Sequence, residues 1–76
     1  MPGSEIALPT RASAGSVIEG TAPADARIEA AGQVLHVGSD RRFGLRIPED
    51  ARGLLPVRIV RPDGRTLLLR IEIVRD

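Results

Sequence analysis

His36 and a handful of serines are all that this chain offers toward nucleophilic chemistry, since it has no cysteine. A Ser–His mechanism needs a hydroxyl beside the imidazole and a carboxylate that orients the ring. Ser13 and Ser16 lie in a short Gly- and Ala-rich stretch that reads as loop. Strand alternation puts His36 on an outward face opposite Arg27, with no orienting acid across from it. No catalytic residue and no cofactor is assigned, and the chain reads as non-enzymatic.

The acidic residues Asp25, Asp40, Glu49, Asp50 and Asp63 all fall in predicted turns. Turns at one end of a sandwich can converge on calcium, which takes about six to eight oxygens. No D-x-D-x-D spacing is present, so no metal is expected; Glu49-Asp50 is the one place a calcium ion would be sought. Structural zinc lacks its ligands, with no Cys and one His.

All eleven basic side chains are arginine, set against ten acids for a net charge of +1. Lys, Asn, Tyr and Trp are absent while Ala, Arg, Gly and Pro abound, a pattern typical of GC-rich coding. The planar guanidinium fork suits carboxylate and phosphate, but the charge balance leaves no strong field for nucleic acid or membrane. Stacking on single strands requires aromatic faces, and Phe43 is the only aromatic residue. Sugar platforms of Trp or Tyr are missing too. No apolar run approaches the roughly 18 residues of a membrane-spanning helix. Met1-Pro-Gly-Ser4 leads straight into structure-like sequence without a secretory leader. Residues 1–4 are read as linker, and 5–76 are expected to form one domain, cut from a longer chain.

Positioning of any surface falls to strands. Period-two alternation is common: Phe43, Leu45 and Ile47 point one way and Arg42 and Arg46 the other. Leu67, Leu69, Ile71 and Ile73 share a face opposite Arg70 and Glu72. Turn residues punctuate these runs, which predicts strands near 5–8, 16–21, 26–30, 33–38, 42–47, 55–61 and 65–75. The fold class expected is all-β, a small immunoglobulin-like β-sandwich of about seven antiparallel strands. A chain this short buries only about 60% of its unfolded surface and gets no help from disulfides.

Two hairpins can be written with their register. A three-residue loop Pro62-Asp63-Gly64 pairs Arg61 with Arg65, Ile59 with Leu67, Val57 with Leu69 and Leu55 with Ile71, so apolar meets apolar. A two-residue turn Ala31-Gly32 pairs Ala30 with Gln33, Ile28 with Leu35 and Ala26 with Val37. That turn asks Ala31 for a positive φ, at about 1–2 kcal/mol. The expected core is Ile6, Leu8, Val17, Ile28, Leu35, Val37, Phe43, Leu45, Ile47, Val57, Ile59, Leu67, Leu69, Ile71 and Ile73, with Phe43 near its centre.

The run Gly20-Thr-Ala-Pro-Ala-Asp-Ala-Arg-Ile28, then Gly32, Asp40 and Phe43, resembles bacterial immunoglobulin-like modules, most closely the glucodextranase-B-like group found in cell-envelope proteins. The later Val57-Arg-Ile-Val-Arg-Pro-Asp-Gly-Arg65 segment also fits, and the likeness covers about residues 15–75. Arg41 departs from it, standing after Asp40 where relatives carry Gly; Gly38 is then expected to supply the unusual backbone angles of that turn. The resemblance implies a periplasmic, cell-surface or secreted location, including outer-membrane proteins, and a non-catalytic spacer or protein-interaction role. The alternative is an accessory domain, associated with glycan or peptidoglycan, on a cell-wall or polysaccharide enzyme. The expected partner is another protein or a neighbouring domain, with glycan a second possibility and with no nucleic acid and no direct membrane insertion.

The candidate interaction face combines outward residues of several strands: Arg27, Glu29, Val34, His36, Arg46, Arg58, Val60, Leu68, Arg70 and Glu72. Clustered apolar side chains among them would form a docking patch, and a long terminal strand could pair edge to edge.

Overall fold

A computed structural model describes residues 6–75 of the chain. Residues 1–4, read as linker, lie outside the described residues, as does Glu5 at the start of the first expected strand. Seven strands and no helix are found among the described residues: β1 (Arg11–Ser13), β2 (Val17–Thr21), β3 (Arg27–Ala30), β4 (Gln33–His36), β5 (Arg42–Arg46), β6 (Gly53–Val60) and β7 (Thr66–Val74). They form a five-stranded sheet in the order β1-β7-β6-β3-β4 and a two-stranded sheet β2-β5. The class is all-β and sandwich-like.

Both hairpin registers hold. β6 and β7 pair Leu55 with Ile71, Val57 with Leu69 and Ile59 with Leu67. At their turn the Arg61 amide donates to the Arg65 carbonyl at 2.7 Å, and Gly64 takes a φ of 92°. The two arginines do not simply repel: the Asp63 carboxylate accepts the Arg65 amide at 2.9 Å and pairs with its Nε at 3.3 Å. β3 and β4 pair Ile28 with Leu35 and Ala30 with Gln33, and the Val37 amide reaches the Ala26 carbonyl at 2.9 Å.

The turn between β3 and β4 has Ala31 at φ 52° and Gly32 at φ 75°, the two positive angles of a primed turn that suits the sheet twist. At the β4–β5 turn it is Arg41, not Gly38, that adopts the left-handed conformation, at φ 63°. The expectation for Gly38 therefore fails. Arg41 keeps the backbone geometry that glycine would give, because its amide bonds to the Gly38 carbonyl and its carbonyl accepts Ala22, both at 3.0 Å. Ala31→Gly, Ala31→Asn and Arg41→Gly should each stabilise the domain by about 0.5–1 kcal/mol, as relief of left-handed strain outweighs the added chain entropy. Thermal melts should rise by about 2–8 °C per variant. No gain from any of the three would show that the turns carry no strain.

Three expectations about the strands are corrected. The first strand is not 5–8 but β1; within 6–8 there is only an isolated bridge, Ala7 with Thr21. Nor are all strands antiparallel, for β1 runs parallel to β7 with Ala12 beside Ile73. In β2 it is Ile18 that is buried, while Val17 is 66% exposed. Ile18 shares its parity with Gly20 and pairs with Leu45, so the buried face begins one residue later than expected.

The core fills the space between the sheets with Ile28, Leu45, Ile47, Val57, Ile59 and Ile71 at its most buried points. Four alanines, Ala12, Ala22, Ala26 and Ala30, complete it. Phe43 is buried but lies at the margin of the core, where its ring borders a groove. Leu35, Leu55 and Leu69 are only partly buried and Leu67 is 38% exposed, because two strands cannot cover the inner face of five.

Candidate interaction surface

Period-two geometry and the register assign the outer face of the five-stranded sheet row by row. His36, Arg27, Val60 and Thr66 stand side by side across β4, β3, β6 and β7. The next row on that face is Val34, Glu29, Arg58 and Leu68. Pro56 with Arg70 follows, then Leu54, Glu72 and Arg11. Nine of the ten residues expected to share a face therefore do so. Arg46 does not: β5 pairs with β2, so Arg42 and Arg46 face outward from the other sheet. Alternation along a strand gives the face but not which sheet the strand joins. Leu54 and Val74, 62% and 37% exposed, belong to the five-stranded face as well; Leu54 was hidden in the uniform run Leu54-Leu55.

Charge on this face is unevenly matched. Glu29 pairs with Arg27 Nε at 2.8 Å and lies 3.7 Å from Arg58 Nη1, so one carboxylate serves two guanidiniums. Arg11 and Glu72 pair at 3.3 Å near the β1 edge. Arg70, diagonal to Arg58, has no carboxylate within ion-pair distance among the described residues. These exposed pairs add little to stability; their arrangement leaves positive charge between Leu68 and Leu54.

A groove of about 630 Å³ opens at the margin of the smaller sheet, lined by Leu8, Val17, Gly20 and Phe43 with Glu19 and Arg42 at its rim. It carries no His, Ser or Cys. At the opposite end, Arg75 Nη1 donates to the carbonyls of Glu49 and Ala51 at 2.7 and 2.8 Å. A guanidinium thus sits on the backbone carbonyls either side of Asp50. No group of three or more His, Asp or Glu side chains gathers at metal-binding distance among the described residues. Ser16 Oγ donates to the Ser13 carbonyl at 2.6 Å; Ser16 is a loop residue as expected, whereas Ser13 is the last residue of β1 and not loop.

No family model, curated protein or solved structure matches this chain.

Proposed function

We propose that this chain is a non-catalytic immunoglobulin-like module of a bacterial cell-envelope or secreted protein, and that the outer face of its five-stranded sheet contacts another protein or a neighbouring domain. The strand partition supports the fold reading. The second and fifth strands share one sheet while the third, sixth and seventh share the other, as strands B and E and strands C, F and G do in an immunoglobulin sandwich, whereas β1 and β4 join the larger sheet where strands A and D would lie with B and E. The setting is the one that the sequence resemblance of residues 15–75 implies.

One observation carries the contact reading. Val34, Leu54 and Leu68 are 59%, 62% and 51% exposed on a single face, interleaved with arginines that outnumber their carboxylates. Scattered apolar residues need no partner, but a co-facial set rimmed by charge suits a protein surface bearing apolar groups and an acid. Aromatic sugar platforms are lacking, since Phe43 is buried, which places the glycan-associated alternative second.

A photo-crosslinking residue at Leu68, in the parent chain in its native cells, should give one defined protein adduct. The same residue at Val17, in the other sheet, should give none. Arg58→Glu with Arg70→Glu should lower the adduct roughly ten-fold, by placing like charge against the partner's acid. Equal adducts at both positions, or none at either, would sink the contact reading. Peptidoglycan co-sedimentation lost on Arg58→Ala and Arg70→Ala would replace it with the glycan one.

A further inference from the structure

We infer that β4 is a self-pairing edge, through which two copies of this chain join their five-stranded sheets about a two-fold axis at Leu35. Strand β4 ends its sheet, and no strand covers its outer side among the described residues. Its hydrogen-bonding phase follows from the tight turn and from the Val37 amide on the Ala26 carbonyl. Antiparallel bonding alternates, so Leu35 bonds inward to β3 while the N–H and C=O of Val34 and His36 point to the open edge.

These open groups complement themselves. A two-fold at Leu35 sets Val34 against His36 of the second copy, in a hydrogen-bonded pair that satisfies the free N–H and C=O of both. Leu35 then meets Leu35 of the second copy on the inner side, where it is only partly covered in the single chain.

Charge selects this edge over the others. Exposed edges are commonly protected by being very short, by charged side chains, by Pro or by covering groups, and β4 has the first of these alone. β5 carries Arg42 and Arg46, and the Gln33 amide caps the Arg46 carbonyl at 2.8 Å. A two-fold there would set guanidinium against guanidinium. β1 carries Arg11, and the Ala7 bridge covers part of β2. β4, Gln-Val-Leu-His, has no carboxylate, guanidinium or proline. Its four residues bury far less than the ~1,000 Å² of a stable interface, so the dimer is weak and reversible.

Sedimentation equilibrium should show monomer near 10 µM and a growing dimer fraction toward about 1 mM. The chain has no cysteine, so a single introduced thiol reports the register. In a non-hydrogen-bonded pair the Leu35→Cys positions lie about 4.5 Å apart, within disulfide reach. Mild oxidation should therefore cross-link Leu35→Cys at least ten-fold faster than Val34→Cys, which faces His36 of the second copy. Val34→Pro removes an N–H that the ladder to β3 does not use, and should abolish the dimer. Arg58→Glu with Arg70→Glu should leave the dimer intact, so this association stands apart from contact by the outer face. A monomer at every concentration, equal cross-linking by both thiols, or a dimer that survives in folded Val34→Pro would each overturn the proposal. Should Val34→Pro fail to fold, the two thiol variants still decide it.

Discussion

Phe43→Ala loses about 3–5 kcal/mol of folding free energy, a large part of what a chain of this size holds. Phe43 is 7% exposed and is the only aromatic side chain, so no other ring can move in to replace it. It sits across from Gly20 in the β2–β5 ladder. Its removal opens the groove beside Leu8 into the core rather than leaving a sealed void. Urea titration followed by far-UV circular dichroism would measure the loss, since the chain has no Trp or Tyr to report by fluorescence. A loss under about 1 kcal/mol would mean that the groove collapses around the deletion, and that the ring anchors nothing.

The second large effect is expected from the smallest change. A methyl group at Gly20 would lie 2.7 Å from Phe43 Cζ, 2.8 Å from the Ala7 carbonyl oxygen and 2.8 Å from Leu8 Cδ2. Side chains can yield, but the Ala7 oxygen is held by the Thr21 amide at 3.0 Å. Gly20→Ala must therefore break that bridge or drive the ring off its place, at about 2–3 kcal/mol. Amide exchange at Thr21 should accelerate with the loss of stability. In a Phe43→Leu background the added methyl should cost less, because the shorter side chain leaves room. Strict additivity of the two substitutions would show that ring and glycine do not share the space.

Legibility in the sequence followed the range of the interaction. The β6–β7 and β3–β4 registers could be read because loop length and apolar phase are local, and each one checks the other. β2 was misread by one residue: Val17 and Ile18 are equally apolar, and Gly20 gives its face no side chain to mark it. Strand β1 left no periodic trace, since Arg-Ala-Ser is three residues long and pairs in parallel with residues some sixty positions away. Buried alanines escaped for a related reason, as their size suits both core and surface. Arg41 shows the limit of reading turns by residue type: two backbone hydrogen bonds hold it where glycine is usual.

The candidate face was legible in its phase but not in its membership. Alternation told which residues point outward, and nine of them meet. Only sheet assignment separates Arg46, and only the register places Arg58 and Arg70 as diagonal neighbours with a single acid near the first. The open edge at β4 emerged from sheet order and hydrogen-bond phase, which alternation along the chain does not reveal.

The parallel β1–β7 ladder has a mechanical consequence. The Glu72 amide reaches the Thr10 carbonyl at 2.9 Å and the Ala14 amide reaches the Val74 carbonyl at 3.1 Å, so the ladder is bonded at both ends. Because the strands run the same way, the leading end of β1 and the trailing end of β7 lie at opposite ends of it. Tension drawn through the chain from both directions slides the two strands along each other. The bonds then bear the load together and do not open one by one like a zipper. A short, inconspicuous strand thereby becomes the clasp that resists stretching.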